Sequence, residues 1–166
     1  MLEYPTQSDA RVVVSSNHYL TYPDQVALLD KNGQVVGEYW HAGHLLVLAQ
    51  ADLDGDGQGE LLFGGIDNTQ HQATLVVLDP GKVSGLFRSS QSGPLQFVNL
   101  APVPMGVEKM VVRFPKSCFV KAEQHNQVTN VRVTKDRVVI AVAEGPDINR
   151  NAGLVIYEFD HHMNVL

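Results

Sequence analysis

The feature that most constrains the fold is a segment that occurs three times along the chain. In each copy a short apolar run is followed by a polar loop of about ten residues, and then by a second apolar run that ends in an aspartate. Repetition of this kind predicts a fold built from stacked copies of one supersecondary unit. The copies begin at residues 11, 60 and 137, and their aspartates are Asp30, Asp79 and Asp160.

The composition of the copies indicates strands rather than helices. The apolar runs are short, rich in Val, Leu and Ile, and separated by Gly, Pro, Asn and Asp. No segment has the periodicity of an amphipathic helix of useful length. Two of the repeated aspartates are followed within three residues by a turn signal, which is Asn32-Gly33 after Asp30 and Pro80-Gly81 after Asp79. We therefore predict an all-β chain of antiparallel units.

The spacing of the aspartates sets the expected length of each unit. Asp30 and Asp79 are 49 residues apart, which is about one four-stranded propeller blade. Asp160 follows after 81 residues, which is one unit plus about 30 residues. This offset favours repeats over the alternative of a two-sheet sandwich. The prediction is a single repeat domain, 1–166, with units at about 1–43, 44–87 and 127–166, an insertion at 88–126, and short strands within that insertion at 96–100 and 108–114.

The second unit contains an acidic, glycine-rich loop between two apolar runs, within Leu45–Ile66. Asp52, Asp54 and Asp56 recur at every second residue. Hard divalent cations prefer several oxygen ligands, and carboxylates at positions 1, 3 and 5 of a short loop can supply them. Without a cation, carboxylates packed so closely repel one another. The loop is therefore suited to calcium; the alternative is a solvated acidic turn, because Asp and Gly are common turn residues.

An EF-hand is excluded, because position 12 counted from Asp52 is Phe63, which has no ligating oxygen in its side chain. The pattern D-x-D-G-D-G-x-G-E at 52–60, followed by FGG at 63–65, instead resembles the calcium loop of FG-GAP repeats, the VCBS-like units of integrin-type β-propellers. The resemblance implies that Ca²⁺ is bound by the side chains of Asp52, Asp54, Asp56 and Glu60 and by the backbone carbonyl of Gln58.

The resemblance also implies a fold and a function. It implies a partial β-propeller-like array of about three antiparallel blades with a calcium-binding hairpin loop. The expected function is a non-catalytic module that binds a protein or a carbohydrate ligand, in an extracytoplasmic or cell-surface location. The alternative is a propeller-based hydrolase or lyase with its site on the inter-strand loops. A zinc site built from scattered histidines is a further alternative.

Charge and composition exclude several classes of partner. The formal net charge is −6 and there is no basic run, so we expect no nucleic-acid partner. No apolar run approaches the ~18–20 residues that a membrane-spanning helix needs. The single cysteine, Cys118, excludes an internal disulfide and every multi-cysteine metal motif.

The loops at 17–24, 67–72 and 145–152 occupy the same place in each copy, so we expect them on one face, where repeat proteins commonly bind partners. An open array also exposes sheet edges, which proteins usually cover. This predicts a homodimer or a place in a longer propeller chain. The candidate binding residues in the loops are Asp67, Asn68, Asp147 and Asn149.

Overall fold

The structure is a computed structural model that describes residues 2–6, 9–17, 23–86, 108–116, 125–145 and 153–166. Within these ranges the regular elements are twelve strands and no helix, so the all-β prediction is confirmed. Among the same residues, nothing forms a helix long and apolar enough to cross a membrane. The strands are β1 Leu2–Thr6, β2 Asp9–Ser16, β3 Asp24–Leu29, β4 Val35–His41, β5 Gly43–Ala51, β6 Glu60–Asp67, β7 Gln72–Leu78, β8 Ser84–Leu86, β9 Met110–Arg113, β10 His125–Val133, β11 Val138–Gly145 and β12 Gly153–Phe159.

The described strands form three sheets that follow one another along the chain. The first sheet has the order β1-β2-β3-β4-β8, the second β5-β6-β7-β9, and the third β10-β11-β12. Each sheet begins with three sequential antiparallel strands, because short connections keep successive strands adjacent. The repeat seen in the sequence is therefore a repeated antiparallel strand order.

The repeated aspartates end the third strand of each sheet and organise the turn that follows. In the first and third sheets the turns match closely: Gly33 has φ 78°, and Met163 occupies the equivalent position with φ 60°. Because a left-handed φ is unfavourable for a residue with a Cβ, Met163 carries strain that Gly33 avoids. In all three turns the aspartate Oδ1 accepts a backbone N–H, from Gln34 at 2.9 Å, from Gly81 at 2.7 Å and from Asn164 at 2.8 Å.

The strands after the second turn depart from the simple repeat. β8 follows the turn at Asp79, but it pairs in parallel with β4 of the first sheet. The fourth strand of the second sheet is β9, which pairs antiparallel with β7. β9 lies inside the segment 108–114 that the sequence predicts as a strand, whereas the predicted strand at 96–100 lies outside the described residues.

The second sheet lies between the other two, and both of its faces are buried. All eight residues of β6 are buried, and successive side chains of a strand point to opposite faces. Leu61 and Phe63 pack with Val26 and Tyr39 of the first sheet in one hydrophobic cluster. Leu62 on the opposite face belongs to a second cluster, with Val77 of its own sheet and Val128, Val138 and Ile140 of the third.

Among the described residues, the third sheet packs one face against the second and leaves part of its other face exposed. On β12 the exposed fractions of Leu154 and Ile156 are 63% and 51%, whereas Phe159 is buried in the second cluster. This pattern is the half-buried alternation expected of a sheet with one solvated face.

Candidate metal site in the β5–β6 hairpin

The acidic residues lie in the loop 52–59 that joins β5 to β6. The last pair of the ladder is Ala51 opposite Glu60, so Glu60 is the first residue of β6 rather than part of the loop. The chain then turns tightly at two glycines with left-handed backbone, Gly55 at φ 77° and Gly57 at φ 85°. Because a Cβ is strained in this conformation, the glycines let the short loop fold back on itself.

Asp52 holds the loop in its folded shape. Its Oδ1 accepts the N–H of Gly55 at 2.7 Å, and its Oδ2 accepts the N–H of Gly57 at 3.0 Å. The side chain of Leu53 is buried in the second hydrophobic cluster, and its N–H donates to Oε2 of Glu60 at 2.7 Å. The loop is therefore anchored both by hydrogen bonds and by an apolar contact with the core.

This arrangement brings three of the predicted ligands together. One carboxylate oxygen from each of Asp52, Asp54 and Glu60 lies within 4.8 Å of the other two. Glu60 is only 2% exposed, whereas Asp54 is open to solvent. Three converging carboxylate oxygens are donors of the type that calcium prefers, so the residues present fit part of the oxygen shell of the predicted ion.

The other two predicted ligands are placed differently. Asp56 is outside the group of three carboxylates, and its Oδ1 accepts the N–H of Gln58 at 2.7 Å. Gln58 is exposed, and its role as a backbone-carbonyl ligand stays a prediction. Asp54 accepts a backbone N–H in the same way, from Asp56 at 3.2 Å, so this contact does not separate Asp56 from the other aspartates, and its role as a ligand also stays a prediction.

Lys109 is a component of the site that the sequence analysis did not find. Its Nζ lies 2.6 Å from Oδ2 of Asp54 and 2.5 Å from Oε1 of Glu60. Partial burial alone would lower the pKa of Lys109, but hydrogen bonds to these two carboxylates raise that pKa well above its ordinary value. The same ammonium holds the pKa of Asp54 below its ordinary range. No local motif marks Lys109, because its partners are 49 and 55 residues away in the sequence.

A cleft of about 380 Å³ adjoins this site. Leu53, Val77 and Met110 give it apolar walls, and the Asp54–Lys109 ion pair also lines it. Residues 161–163 of the turn after β12 complete the lining. Nε2 of His161 is already hydrogen-bonded to the carbonyl oxygen of Thr134 at 2.9 Å, which holds that ring in place.

The loop residues predicted to bind a partner have different surroundings. Asp67 is fully buried, and its Oδ1 accepts the N–H and the hydroxyl of Thr69 at 2.9 and 2.6 Å. Asn68 is half-buried, and its N–H donates to the carbonyl of Ala42 at 3.1 Å. Asp147 and Asn149 lie outside the described residues. Asp67 therefore caps the turn between β6 and β7, and Asn68 joins that turn to Ala42 between β4 and β5. Their role in binding a partner stays a prediction.

Two other buried groups are titratable, and one of them, His41, is among the scattered histidines of the zinc alternative. Asp24 is fully buried, and burial raises its pKa to about 7 against the opposing effect of the Leu45 N–H, which donates to its Oδ2 at 2.7 Å. Burial also lowers the pKa of His41 to about 3, so this imidazole is neutral at physiological pH. In the described part of the chain no three histidines come together as a zinc site would require.

The fold and the site together define an all-β protein of three sheets with an acidic hairpin loop paired to a lysine. A scan against protein-family models, a search of curated proteins and a search of solved structures each find no match.

Proposed function

We propose that this protein is a non-catalytic β-propeller-type module whose β5–β6 loop binds calcium and whose surface binds a protein or carbohydrate ligand. The observation that carries the proposal is the convergence of the Asp52, Asp54 and Glu60 carboxylates to within 4.8 Å. The three sheets with their repeated strand order support the propeller-type arrangement. That the ligand is a protein or a carbohydrate rests on the sequence resemblance alone.

The chemistry of the loop supports a structural role for the ion. Asp52 and Glu60 lie at the two ends of the loop, so an ion bound by both would tie the end of β5 to the start of β6. A ligand that binds only the folded state stabilises it in proportion to the logarithm of its concentration over Kd. Asp52, Asp54 and Glu60 would hold calcium, and what the ion would supply is a positive charge among carboxylates that otherwise repel one another.

The catalytic alternative is supported by the cleft beside the site, but Lys109 and His161, which line that cleft, already have partners. Without calcium, Lys109 is held as an ammonium by two carboxylates, so it has no free amine to act as a base. Nε2 of His161 is hydrogen-bonded to a backbone carbonyl. These contacts favour a binding module over a hydrolase or a lyase.

Thermal unfolding in excess calcium against excess chelator tests the proposal. At a calcium concentration 100 times Kd the stabilisation is about 2.7 kcal/mol. For a chain of this size we expect the midpoint of unfolding to rise by about 5–10 °C. The variant Asp54→Asn should lose most of this shift, because it removes one of the three converging carboxylates.

The matched control is Asp136→Asn, an exposed aspartate in the β10–β11 turn that should keep the full shift. If the wild-type protein unfolds at the same temperature in millimolar calcium and in chelator, the proposed function is wrong. A shift that Asp54→Asn retains would instead place the ion elsewhere.

A further inference from the structure

The position of Lys109 carries an inference beyond calcium binding. Its backbone N–H donates to the carbonyl of Val77 at 2.9 Å, which fixes the residue next to the loop at the start of β9. Its ammonium contacts Asp54 and Glu60, two of the three carboxylates that converge. The chain therefore carries its own cation to the place where calcium is proposed to bind.

The buried carboxylate of Glu60 favours a cation at this position. The side chain is 2% exposed, and Oε2 accepts the Leu53 N–H while Oε1 accepts the Lys109 ammonium. Loss of the positive partner of a buried carboxylate is strongly destabilising. A cation beside Glu60, whether an ammonium or a metal ion, therefore stabilises the folded state.

The two cations cannot share these carboxylates. An ammonium at hydrogen-bond distance from both Asp54 and Glu60 competes with a metal ion for two of the three converging carboxylates, and it repels a second positive charge. The adjoining cleft of about 380 Å³, which Lys109 itself lines, gives the displaced side chain a volume to enter without crossing the core. Exchange is therefore sterically allowed.

We propose that Lys109 is a tethered cation that occupies the acidic loop in the absence of calcium, and that calcium binds only as the Lys109 ammonium leaves Asp54 and Glu60. This rests on the proposed calcium function. Lys109 thereby sets the calcium affinity, because the apparent Kd is the intrinsic Kd divided by the fraction of molecules in which the lysine is displaced. It also links calcium binding to the start of β9, where the neighbouring Glu108 accepts the hydroxyl of the buried Tyr39 at 3.0 Å.

Calcium affinity is measured for the wild type and for Lys109→Met by competition with a chelator of known Kd. Methionine keeps an unbranched apolar stem but removes the charge, so if the lysine is displaced in about one molecule in ten, Kd should fall about ten-fold. The matched control is Lys135→Met, an exposed lysine of the β10–β11 turn, for which Kd should not change. In chelator, Lys109→Met should unfold at a lower temperature than the wild type. Saturating calcium should remove this difference, because the ion replaces the missing ammonium.

A second measurement uses the wild-type protein, so it does not depend on the folding of a variant. An amine-acylating reagent followed by mass spectrometry reports how available each lysine is. Lys109 should be protected in chelator and several-fold more reactive in saturating calcium, whereas Lys135 should react equally in both conditions. A Lys109 reactivity that calcium leaves unchanged would overturn the inference.

The outcomes separate the inference from the function on which it rests. If both proteins bind calcium with the same Kd, the function holds and the inference is wrong. If only Lys109→Met binds calcium at accessible concentrations, the wild-type function is wrong and the lysine is shown to occupy the site. If neither binds, both are wrong.

Discussion

The hairpins β5–β6 and β10–β11 occupy the same place in two sheets but are joined in different ways. In the third sheet Val133 pairs with Val138, and the four residues between them form a tight turn closed by the Thr134 N–H and the Arg137 carbonyl at 2.9 Å. In the second sheet Ala51 pairs with Glu60, and the connection is the longer acidic loop. Both hairpins have antiparallel ladders with one register shift each, so the acidic loop is not needed to join two strands.

The difference lies in where the charges of each hairpin are neutralised. The ion pair beside the tight turn, Arg137 with Glu158, has both side chains over 40% exposed, at 47% and 43%. In the acidic hairpin Lys109 meets Glu60, of which only 2% is exposed. Exposed pairs contribute little, whereas a buried charge without a partner is costly. The acidic loop therefore depends on a cation in a way that the equivalent turn does not.

Removing the carboxylate of each ion pair, Glu60 or Glu158, gives the largest expected difference in the free energy of unfolding. Glu60→Ala deletes the acceptor for the buried Leu53 N–H and one of the two carboxylates that hold Lys109, so we expect a loss of about 1–3 kcal/mol in the free energy of unfolding. Glu158→Ala should cost less than about 1 kcal/mol, because its pair is solvent-exposed. Urea unfolding curves measure both values. Equal losses would show that burial does not distinguish the two hairpins.

Asp24 extends the comparison, because it is a buried carboxylate whose hydrogen-bond partners are uncharged. It should make the stability of the fold depend on pH. Asp24 accepts the Leu45 N–H and the Ser15 hydroxyl, and burial raises its pKa to about 7 from 3.8. Between these values the folded state binds more protons than the unfolded state, so stability falls as pH rises. The slope from this group is at most about 1.4 kcal/mol per pH unit, and it vanishes above pH 7.

Asp24→Asn should remove that slope, so the two proteins should differ in urea midpoint by an amount that changes steadily from pH 5 to pH 7. His41 contributes in the opposite direction, because its lowered pKa makes the folded state lose stability as pH falls. This contribution is common to both proteins and cancels in their difference. Parallel curves for the wild type and Asp24→Asn would contradict the assignment.

The smallest expected effect tests the central position of the second sheet. A Cβ on Gly64 would lie 2.5 Å from Cγ1 of Val128 and 2.7 Å from Cγ2 of Val47, so Gly64→Ala overpacks the contact between the second and third sheets. We expect a loss of about 1–2 kcal/mol. Gly153→Ala on β12 meets no atom within 4 Å and should change stability by less than about 0.5 kcal/mol. A neutral Gly64→Ala would indicate that these sheets pack more loosely.

Local sequence determined the strands, the turns and the acidic loop of this protein. Alternation of apolar residues marks a strand wherever it lies, and an aspartate beside a turn finds its N–H donor within a few residues, as at Asp30, Asp79 and Asp160. The carboxylates of Asp52 and Asp54 are likewise brought close by two glycines of their own loop. These features depend on neighbours in the sequence, so they could be predicted from it.

Tertiary structure alone decided which partners those local features meet. Packing between segments that are far apart in the chain pairs β8 with β4 and brings Lys109 to Glu60. The same packing buries Asp67 and Asp24. Such contacts arise because the second sheet must bury both apolar faces, and that packing carries polar groups into the interior with it. The sequence places carboxylates in a loop, and the fold supplies the cation that faces them.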